Sequence, residues 1–347
     1  MAALDFAALT SALATLFEDR IVTQINRAVV LANLLPVTPG TGKNIQWLAR
    51  FGTDVGAVIA DGADVSTYNS DSKVPAVLQY GTYHDAFSIT GKARAAAAAA
   101  GNPLDLVDLF GEEIEESVQR LAMKLAIDTY TGTGATDNLN GLLSASGAAA
   151  AISATGSYAG ISRVTYTQWA ATINANGAVP RALSLALMRT MRRSIYTASG
   201  EKPDLIVCDP IQHENYGNLL ANQRRYMQDV MLRGQAIKLD GGYQVLEFDG
   251  IPVVEDVNHP AGKMTFLNTR HLSYKQLPSP SDNLNMAKGN LGLHGTPEEQ
   301  FGQQQVKLTA RVQPLAITGD ALKFALFCYP QIQQKRPNTA GVLEDLL

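Results

Sequence analysis

The sequence predicts an α+β fold in which one unusually long helix accompanies separate groups of strands. Three observations lead to this prediction. Residues 103–131 keep a helical pattern without a break, residues 43–92 are rich in β-branched and aromatic residues, and residues 203–275 alternate between strand-like and helical segments. A chain that places these patterns in successive stretches is typical of the α+β class.

The N-terminal arm, residues 1–42, begins with an amphipathic helix. Pro36 and Pro39 end this helix. Its polar face mixes acidic and basic side chains, which favours a protein partner over a membrane surface. The large apolar residues at helical spacing are Leu9, Leu13, Leu16, Phe17, Ile21, Ile25 and Val29.

Residues 43–92 are predicted to form an extended β-hairpin loop. Residues 45–51 and 74–90 have strand composition, and the stretch from Gly52 to Lys73 between them is polar, with few large apolar groups. Two strands cannot bury a core by themselves. The hairpin therefore either packs onto its own subunit or reaches onto another copy, and the sequence leaves both alternatives open.

The long helix has well-defined start and stop signals. Asn102 is a good N-cap, Pro103 occupies the first helical position, Asp105 can complete a capping box, and Gly132 ends the helix. At 1.5 Å per residue the helix is about 43 Å long, so it must lie along something equally long. Its apolar stripe consists of Val107, Phe110, Ile114, Val118, Leu121 and Leu125.

The second half of the chain combines a turn-dense loop, a further helix and two groups of strands. A helix is predicted from about Tyr166 to Ile195, with a break near Gly177 and Pro180. Residues 203–275 read as a separate α/β unit. A polar tract, residues 278–302, precedes closing strands in residues 305–312 and 321–327.

Length and composition limit the classes of protein to which the chain can belong. Its 347 residues are enough for two or three compact units, and only 17% of them are charged. Low charge is typical of a protein that covers its surface with copies of itself, although a large core gives the same composition. The net charge of −4 argues against an overall basic field that attracts nucleic acid. We expect a soluble cytoplasmic protein without a signal peptide, a membrane span or a disulfide framework.

The search for enzymatic motifs is negative. Residues 39–43 resemble the end of a phosphate loop, but Val37 and Asn44 stand where its first glycine and its Ser/Thr should be. His213 and Glu214 open like a zinc motif, but Gly217 replaces the second histidine. We therefore expect no catalytic residue, no cofactor and no metal. An α/β enzyme that uses Cys208, Asp209 and His213 is kept as the alternative from a different class.

Several short motifs occur in the order in which they occur in one known family. These are the acidic-Gly stretch 58–63, the Gly-rich loop 131–143, the strand and helix start 204–210 with the later Arg225 and Tyr226, the Gly-hydrophobe-Pro-Val stretch 248–254 and the Ala-Gly turn 260–266. With the order of arm, hairpin, long helix and α/β unit, the chain resembles the major capsid proteins of tailed phages with the Hong Kong 97-type fold.

This resemblance implies a division of the chain into the parts of that fold. They are an N-terminal arm (1–42), an extended loop (43–92), a peripheral domain (93–200) with the spine helix 103–131, an axial domain (201–277), and return strands of the peripheral domain with a C-terminal tail (278–347). Residues expected at assembly interfaces are Trp47, Phe51, Asp61, Lys73, Tyr80, Tyr83, Phe87, Arg224, Arg225 and Tyr226.

The resemblance also implies partners. The chain should assemble with itself, as pentamers and hexamers, into the icosahedral head of a double-stranded DNA phage, inside a bacterial cytoplasm. A separate scaffolding protein, a portal and a decoration protein are the further partners, and no membrane takes part. The mildly acidic composition suits a wall along which packaged DNA slides without sequence-specific binding. An encapsulin-like nanocompartment, which shares the fold, is the alternative within the same class.

Overall fold

The computed structural model describes residues 30–52, 58, 61, 72–92, 95, 103–135, 137–143, 150–220, 230–232, 235–237, 246–277, 287–290, 309–315 and 319–347. The part of the predicted N-terminal helix before Val30, and the arginines at 224 and 225 with Tyr226, therefore lie outside the described residues. Four α-helices are described: α1 (Val30–Leu34), α2 (Pro103–Thr131), α3 (Leu185–Ser199) and α4 (Pro210–Leu219).

Nineteen strands are described in the same parts of the chain. The first ten are β1 (Val37–Pro39), β2 (Asn44–Phe51), β3 (Ser72–Gln79), β4 (Tyr83–Thr90), β5 (Ser157–Tyr158), β6 (Ile161–Ser162), β7 (Thr172–Asn174), β8 (Leu205–Cys208), β9 (Val230–Leu232) and β10 (Gln235–Ile237). The others are β11 (Leu246–Phe248), β12 (Ile251–Glu255), β13 (Met264–Leu267), β14 (Leu272–Gln276), β15 (Ala287–Asn290), β16 (Thr309–Pro314), β17 (Ala321–Cys328), β18 (Pro330–Gln334) and β19 (Gly341–Leu343).

The long helix α2 occupies the residues that the sequence predicts for it. Its last turn is closed by the loop that follows. The amide of Gly132 donates to the Asp128 carbonyl (2.8 Å), that of Leu142 to the Thr129 carbonyl (2.8 Å) and that of Leu143 to the Tyr130 carbonyl (2.7 Å). These carbonyls would otherwise lack partners, because the last turn of a helix has no donors above it. The Gly-rich loop is thus the C-terminal cap of α2.

The second predicted helix, expected from about Tyr166, is observed only from Leu185, where α3 begins. Ser184 is its N-cap and accepts a hydrogen bond from the Leu187 amide (3.3 Å). Upstream, Gly177 and Ala178 have φ angles of 65° and 62°, which no α-helix contains. Residues 172–174 belong to β7 instead of a helix.

The largest described sheet has six strands, all from the second half of the chain, in the order β11-β12-β8-β13-β19-β7. The α/β unit predicted in residues 203–275 is therefore not self-contained, because β7 and β19 come from outside it. Strands β8 and β13 are buried at every position, so both faces of the sheet need cover. Side chains of α3 and α4 pack on one face, and Leu205, Val207 and Val254 on the other face belong to the main core.

The remaining sheets connect the N-terminal half of the chain with its last part. Strands β2 and β3 form an antiparallel hairpin, from the pair Asn44 and Gln79 to the pair Phe51 and Ser72. Strand β4 follows this hairpin in the sequence but is not part of it. It pairs antiparallel with β17 over its whole length, in a four-stranded sheet. The predicted hairpin is thus shorter than expected. A third sheet has the order β1-β14-β18.

Strand β18 is buried at all five positions although three of its residues are glutamines. The Gln331 amide nitrogen donates to the Gln79 carbonyl (2.6 Å) and to Asn140 Oδ1 (3.1 Å), while its oxygen accepts from the Asn140 amide (3.0 Å). A buried polar side chain is tolerated when it is hydrogen-bonded in this way. Gln331 joins the base of the hairpin to the loop that caps α2.

Candidate functional site

The hairpin β2–β3 presents two faces of different character. Alternation along the strands puts Ile45, Trp47, Ala49 and Phe51 on the inner face, together with Ala76 and Leu78 of β3. The opposite surface, which we call the hairpin outer face, consists of Gln46, Leu48, Arg50, Lys73 and Pro75, all exposed. Leu48 is 70% exposed and stands opposite Pro75. The next pair on the same face of the hairpin is Arg50 and Lys73.

The inner face is covered by aromatic residues of the same chain. The Phe51 ring stacks on Tyr166 at 4.4 Å between centroids and meets the edge of Trp169 at 5.7 Å. Trp47 lies 6.4 Å from Trp169. A backbone hydrogen bond from the Val77 amide to the Ala159 carbonyl (2.8 Å) ties β3 to the turn between β5 and β6. For this face of the hairpin, packing on its own subunit is the alternative that the structure shows.

A buried arginine supports the segment that carries these aromatic residues. The Arg163 guanidinium donates to the carbonyls of Thr155 (2.9 Å), Ala150 (2.7 Å) and Ala151 (3.1 Å) and lies 5.8 Å from the centre of the Tyr158 ring. Burial lowers the pKa of Arg163 to about 10, so the side chain is still charged at neutral pH. Carbonyl dipoles compensate this charge within the chain.

Three other predicted interface residues also have partners within the chain. The Tyr83 hydroxyl donates to Asp128 Oδ2 (2.8 Å), and burial raises its pKa above the ordinary value. Phe87 stacks on Phe324 of β17 at 5.5 Å. Tyr80 is buried, and its ring lies where a Cβ on Gly40 would be. Of the predicted set, only Asp61 and Lys73 are exposed among the described residues.

Leu48 and Pro75 were not among the predicted residues. The signal that could have found them is the period of two in residues 45–51, which separates Leu48 from Ile45, Trp47 and Phe51. The predicted interface residues of this region are instead mainly aromatic. Those side chains are the ones that the subunit needs for its own core, because they bury the largest apolar area.

The residues of the enzyme alternative do not form a reactive group. Cys208 is buried with its thiol 3.8 Å from the Val254 carbonyl, and burial raises its pKa, so no thiolate nucleophile forms. His213 pairs with Glu255 at 3.4 Å, and burial lowers its pKa. Over the described residues, no group of three His, Cys, Asp or Glu side chains is placed to hold a metal ion. No described helix is long and apolar enough to cross a membrane.

His259 makes stability depend on pH. It is buried, its Nε2 lies 2.8 Å from Thr265 Oγ1, and burial lowers its pKa to about 4. Since an unfolded histidine has a pKa of about 6.5, the unfolded chain binds more protons between these values, and stability is lost as the pH falls from 6.5 to 4. We expect about 2 kcal/mol less unfolding free energy from this group at pH 5 than at pH 7.

Urea titrations of unassembled subunits at both pH values measure this difference. The His259→Gln variant is the control, because it keeps a polar side chain that does not titrate. Its loss of unfolding free energy between pH 7 and pH 5 should be smaller than that of the unchanged chain by about the same 2 kcal/mol. Equal losses in the two proteins would contradict the assignment.

Comparisons with known proteins agree with this geometry. The family described as SU10 major capsid protein matches residues 17–291. The capsid asymmetric unit of cyanophage A-1(L) is 24% identical, with a TM-score of 0.76 and 99% of each chain covered. The capsid of a native GTA particle is 13% identical, with a TM-score of 0.60 and full coverage of both chains.

A more distant likeness is to the SrpI encapsulin of Synechococcus elongatus PCC 7942. It is 12% identical, with a TM-score of 0.56, and the match covers 100% of this chain and 96% of that one. Likenesses at these identities show a shared fold. No curated protein sequence matches the chain.

Proposed function

We propose, from the premise that this chain belongs to the SU10 major capsid protein family, that its hairpin outer face holds neighbouring copies together in a closed shell. The chain is a major capsid protein of a tailed phage, a component of the virion capsid, and not an enzyme. The finer steps of assembly, including pentamers and hexamers built in the bacterial cytoplasm, are part of the proposal.

The exposure of Leu48 is the observation that carries the proposal. A side chain that is 70% exposed in the middle of a strand leaves apolar area in water, and Pro75 extends this area across the hairpin. The inner face of the same hairpin is already covered by this chain, and the exposed Leu48 and Pro75 on the other face would therefore receive another copy. Proline in β3 also blocks indiscriminate pairing of strands at this place.

Charge indicates which surface of the neighbour receives the hairpin. Lys73 is an exposed basic side chain at one end of the outer face. The first half of α2 is acidic, with Glu113, Glu115 and Glu116 at least partly exposed. Contacts of opposite sign fix the register between copies more than they add affinity. We therefore propose that the hairpin of one subunit lies over α2 of the next, and that α2 runs along the shell wall.

The other parts of the capsid have proposed roles that follow from the family. Closed assemblies of identical chains repeat the same contact around each symmetry axis. In the capsid, the unit with the six-stranded sheet would make this contact with its copies. A separate scaffolding protein, a portal and a decoration protein would complete the head. Packaged double-stranded DNA would meet a wall of net charge −4 per chain and would be enclosed without sequence-specific contacts.

Particle formation by the purified protein, alone or with its scaffold, tests the proposal. Electron microscopy and sedimentation should show closed shells for the unchanged chain and none for Leu48→Asp, because a buried unpaired carboxylate is costly at an interface. Val179→Asp is the matched control, since Val179 is 60% exposed in the loop between β7 and α3 and is not part of the hairpin. Shells from Leu48→Asp would contradict the proposal. Particles that hold a protein cargo and no DNA would favour the nanocompartment.

A further inference from the structure

Asp256 is a buried carboxylate at the point where three parts of the subunit meet. It follows the last residue of β12, is 2% exposed, and its amide donates to the carbonyl of Cys208 at the end of β8 (2.9 Å). Its Oδ2 accepts hydrogen bonds from the Tyr130 hydroxyl (2.7 Å) and from the Leu31 amide (3.3 Å). One oxygen atom thus connects the six-stranded sheet with the last turn of α2 and with α1.

Within the described part of the chain, the contacts that compensate the charge of Asp256 are hydrogen bonds. Its Oδ1 accepts from the amide of Asn258 (2.9 Å) and from the Asn258 side chain (3.3 Å). Among the described residues no lysine or arginine forms an ion pair with it. His259, whose ring lies 5.1 Å from that of Tyr130, is neutral at pH 7. Removing a donor from such a carboxylate is costly, because a buried charge then keeps fewer partners.

The bond to Leu31 has a special role because of its place in α1. Among the described residues, the Asp256 carboxylate is the acceptor of the Leu31 amide at the first described turn of α1. The burial of Leu31 and Leu35, each 1% exposed, in the main core is the second contact that holds α1 in place.

We propose that Asp256 is a positioning residue that fixes α1 relative to both α2 and the six-stranded sheet. The segment that precedes α1 in the sequence is then joined to the same place in every copy. Asp256 would thus contribute to uniform assembly without touching another copy. This consequence for assembly rests on the proposed function, whereas the anchoring of α1 can be measured on single subunits.

The test compares Asp256→Asn with Asp204→Asn by hydrogen exchange. Asp204 is the matched control, because its carboxylate accepts two hydrogen bonds from Thr269 beside the same sheet and does not contact α1. An asparagine at 256 has one acceptor oxygen and must turn its NH2 group toward one of the two sets of donors. The Tyr130 hydroxyl can accept from this NH2 group and the Asn258 amide cannot, so the NH2 group should face Tyr130, and Leu31 should lose its acceptor. We expect exchange of the α1 amides to accelerate at least tenfold in Asp256→Asn and to stay unchanged in Asp204→Asn. Proteases should cut ahead of Leu31 faster only in the former.

Three results would overturn the inference. They are unchanged α1 exchange in Asp256→Asn, equal acceleration in both variants, and a Leu31 amide in the unchanged chain that exchanges as fast as an exposed amide. The last measurement decides even if Asp256→Asn does not fold. For assembly, Asp256→Asn should give irregular particles where Asp204→Asn gives closed shells. If the unchanged chain forms no shells, the proposed function fails while the exchange result stands.

Discussion

Replacing residues 52–71 with an Asn-Gly turn is expected to abolish shells while the subunit stays folded. Phe51 and Ser72 are a register pair of the hairpin, so a two-residue type I′ turn can join them without strain. The inner face keeps its contacts with Tyr166 and Trp169, and thermal melting should therefore remain cooperative. Val58 in the tip is fully exposed, and we expect the tip to extend the proposed contact of the outer face with the neighbouring copy, so its removal should weaken that contact. Sedimentation and electron microscopy should find only monomers or small oligomers.

A longer replacement is the informative comparison. If residues 54–87 are removed, all of β3 and most of β4 go with them, and β17 loses its β4 partner from Phe324 to Cys328. The stack of Phe87 on Phe324 and the bond from Tyr83 to Asp128 disappear as well. We expect this variant to be unfolded by circular dichroism. Intact shells from the 52–71 replacement would show that the tip is dispensable, and an unfolded chain would place the tip in the subunit core.

Gly141→Ala is expected to reduce the unfolding free energy by about 3 kcal/mol or more. A Cβ at this position would overlap the Gly132 amide nitrogen and lie 2.7 Å from the Tyr130 carbonyl oxygen. Both atoms belong to the backbone at the end of α2, where they take part in its cap. They cannot move away without breaking the hydrogen bonds that satisfy the last carbonyls of the helix.

Gly177→Ala is the control for this variant. Gly177 has a φ angle of 65°, but nothing lies within 4 Å of the position of its Cβ. The cost there is conformational only, about 1 kcal/mol. Urea unfolding of the two variants separates steric overlap from backbone strain. Equal costs would mean that the loop can move away from α2, and the description of the cap would then be wrong.

Some parts of this fold follow from local sequence patterns. Asn102, Pro103 and Gly132 mark the ends of the long helix, and its single apolar stripe predicts that it lies against other elements. Alternation in residues 45–51 predicts a strand with one buried face. These signals are readable because a helix cap or a strand face depends on residues within a few positions of one another. The chain order of the motifs was enough to indicate the family.

Other parts depend on partners far away in the chain. Residues 74–90 have strand composition almost throughout, yet β4 pairs with β17, some 240 residues later by the register of Phe87 with Phe324. In the same way, residues 341–343 and 172–174 complete a sheet that seemed self-contained in residues 203–275. The composition of a strand indicates which of its side chains are buried but does not identify the neighbouring strand. The reason is that the burial of a side chain is nearly the same beside any partner strand.

The functional surface shows the same division. The sequence alone determined that the chain has a long capped helix, an amphipathic hairpin and the motif order of a capsid protein. Only the tertiary structure decided that Tyr83 and Phe87 are core residues, that Leu48 is exposed, and that Asp256 joins α1, α2 and the sheet. The physical reason is that exposure and hydrogen-bond partners are properties of packed surfaces. Aromatic and carboxylate residues have the same sequence signature whether this subunit or a neighbouring one covers them.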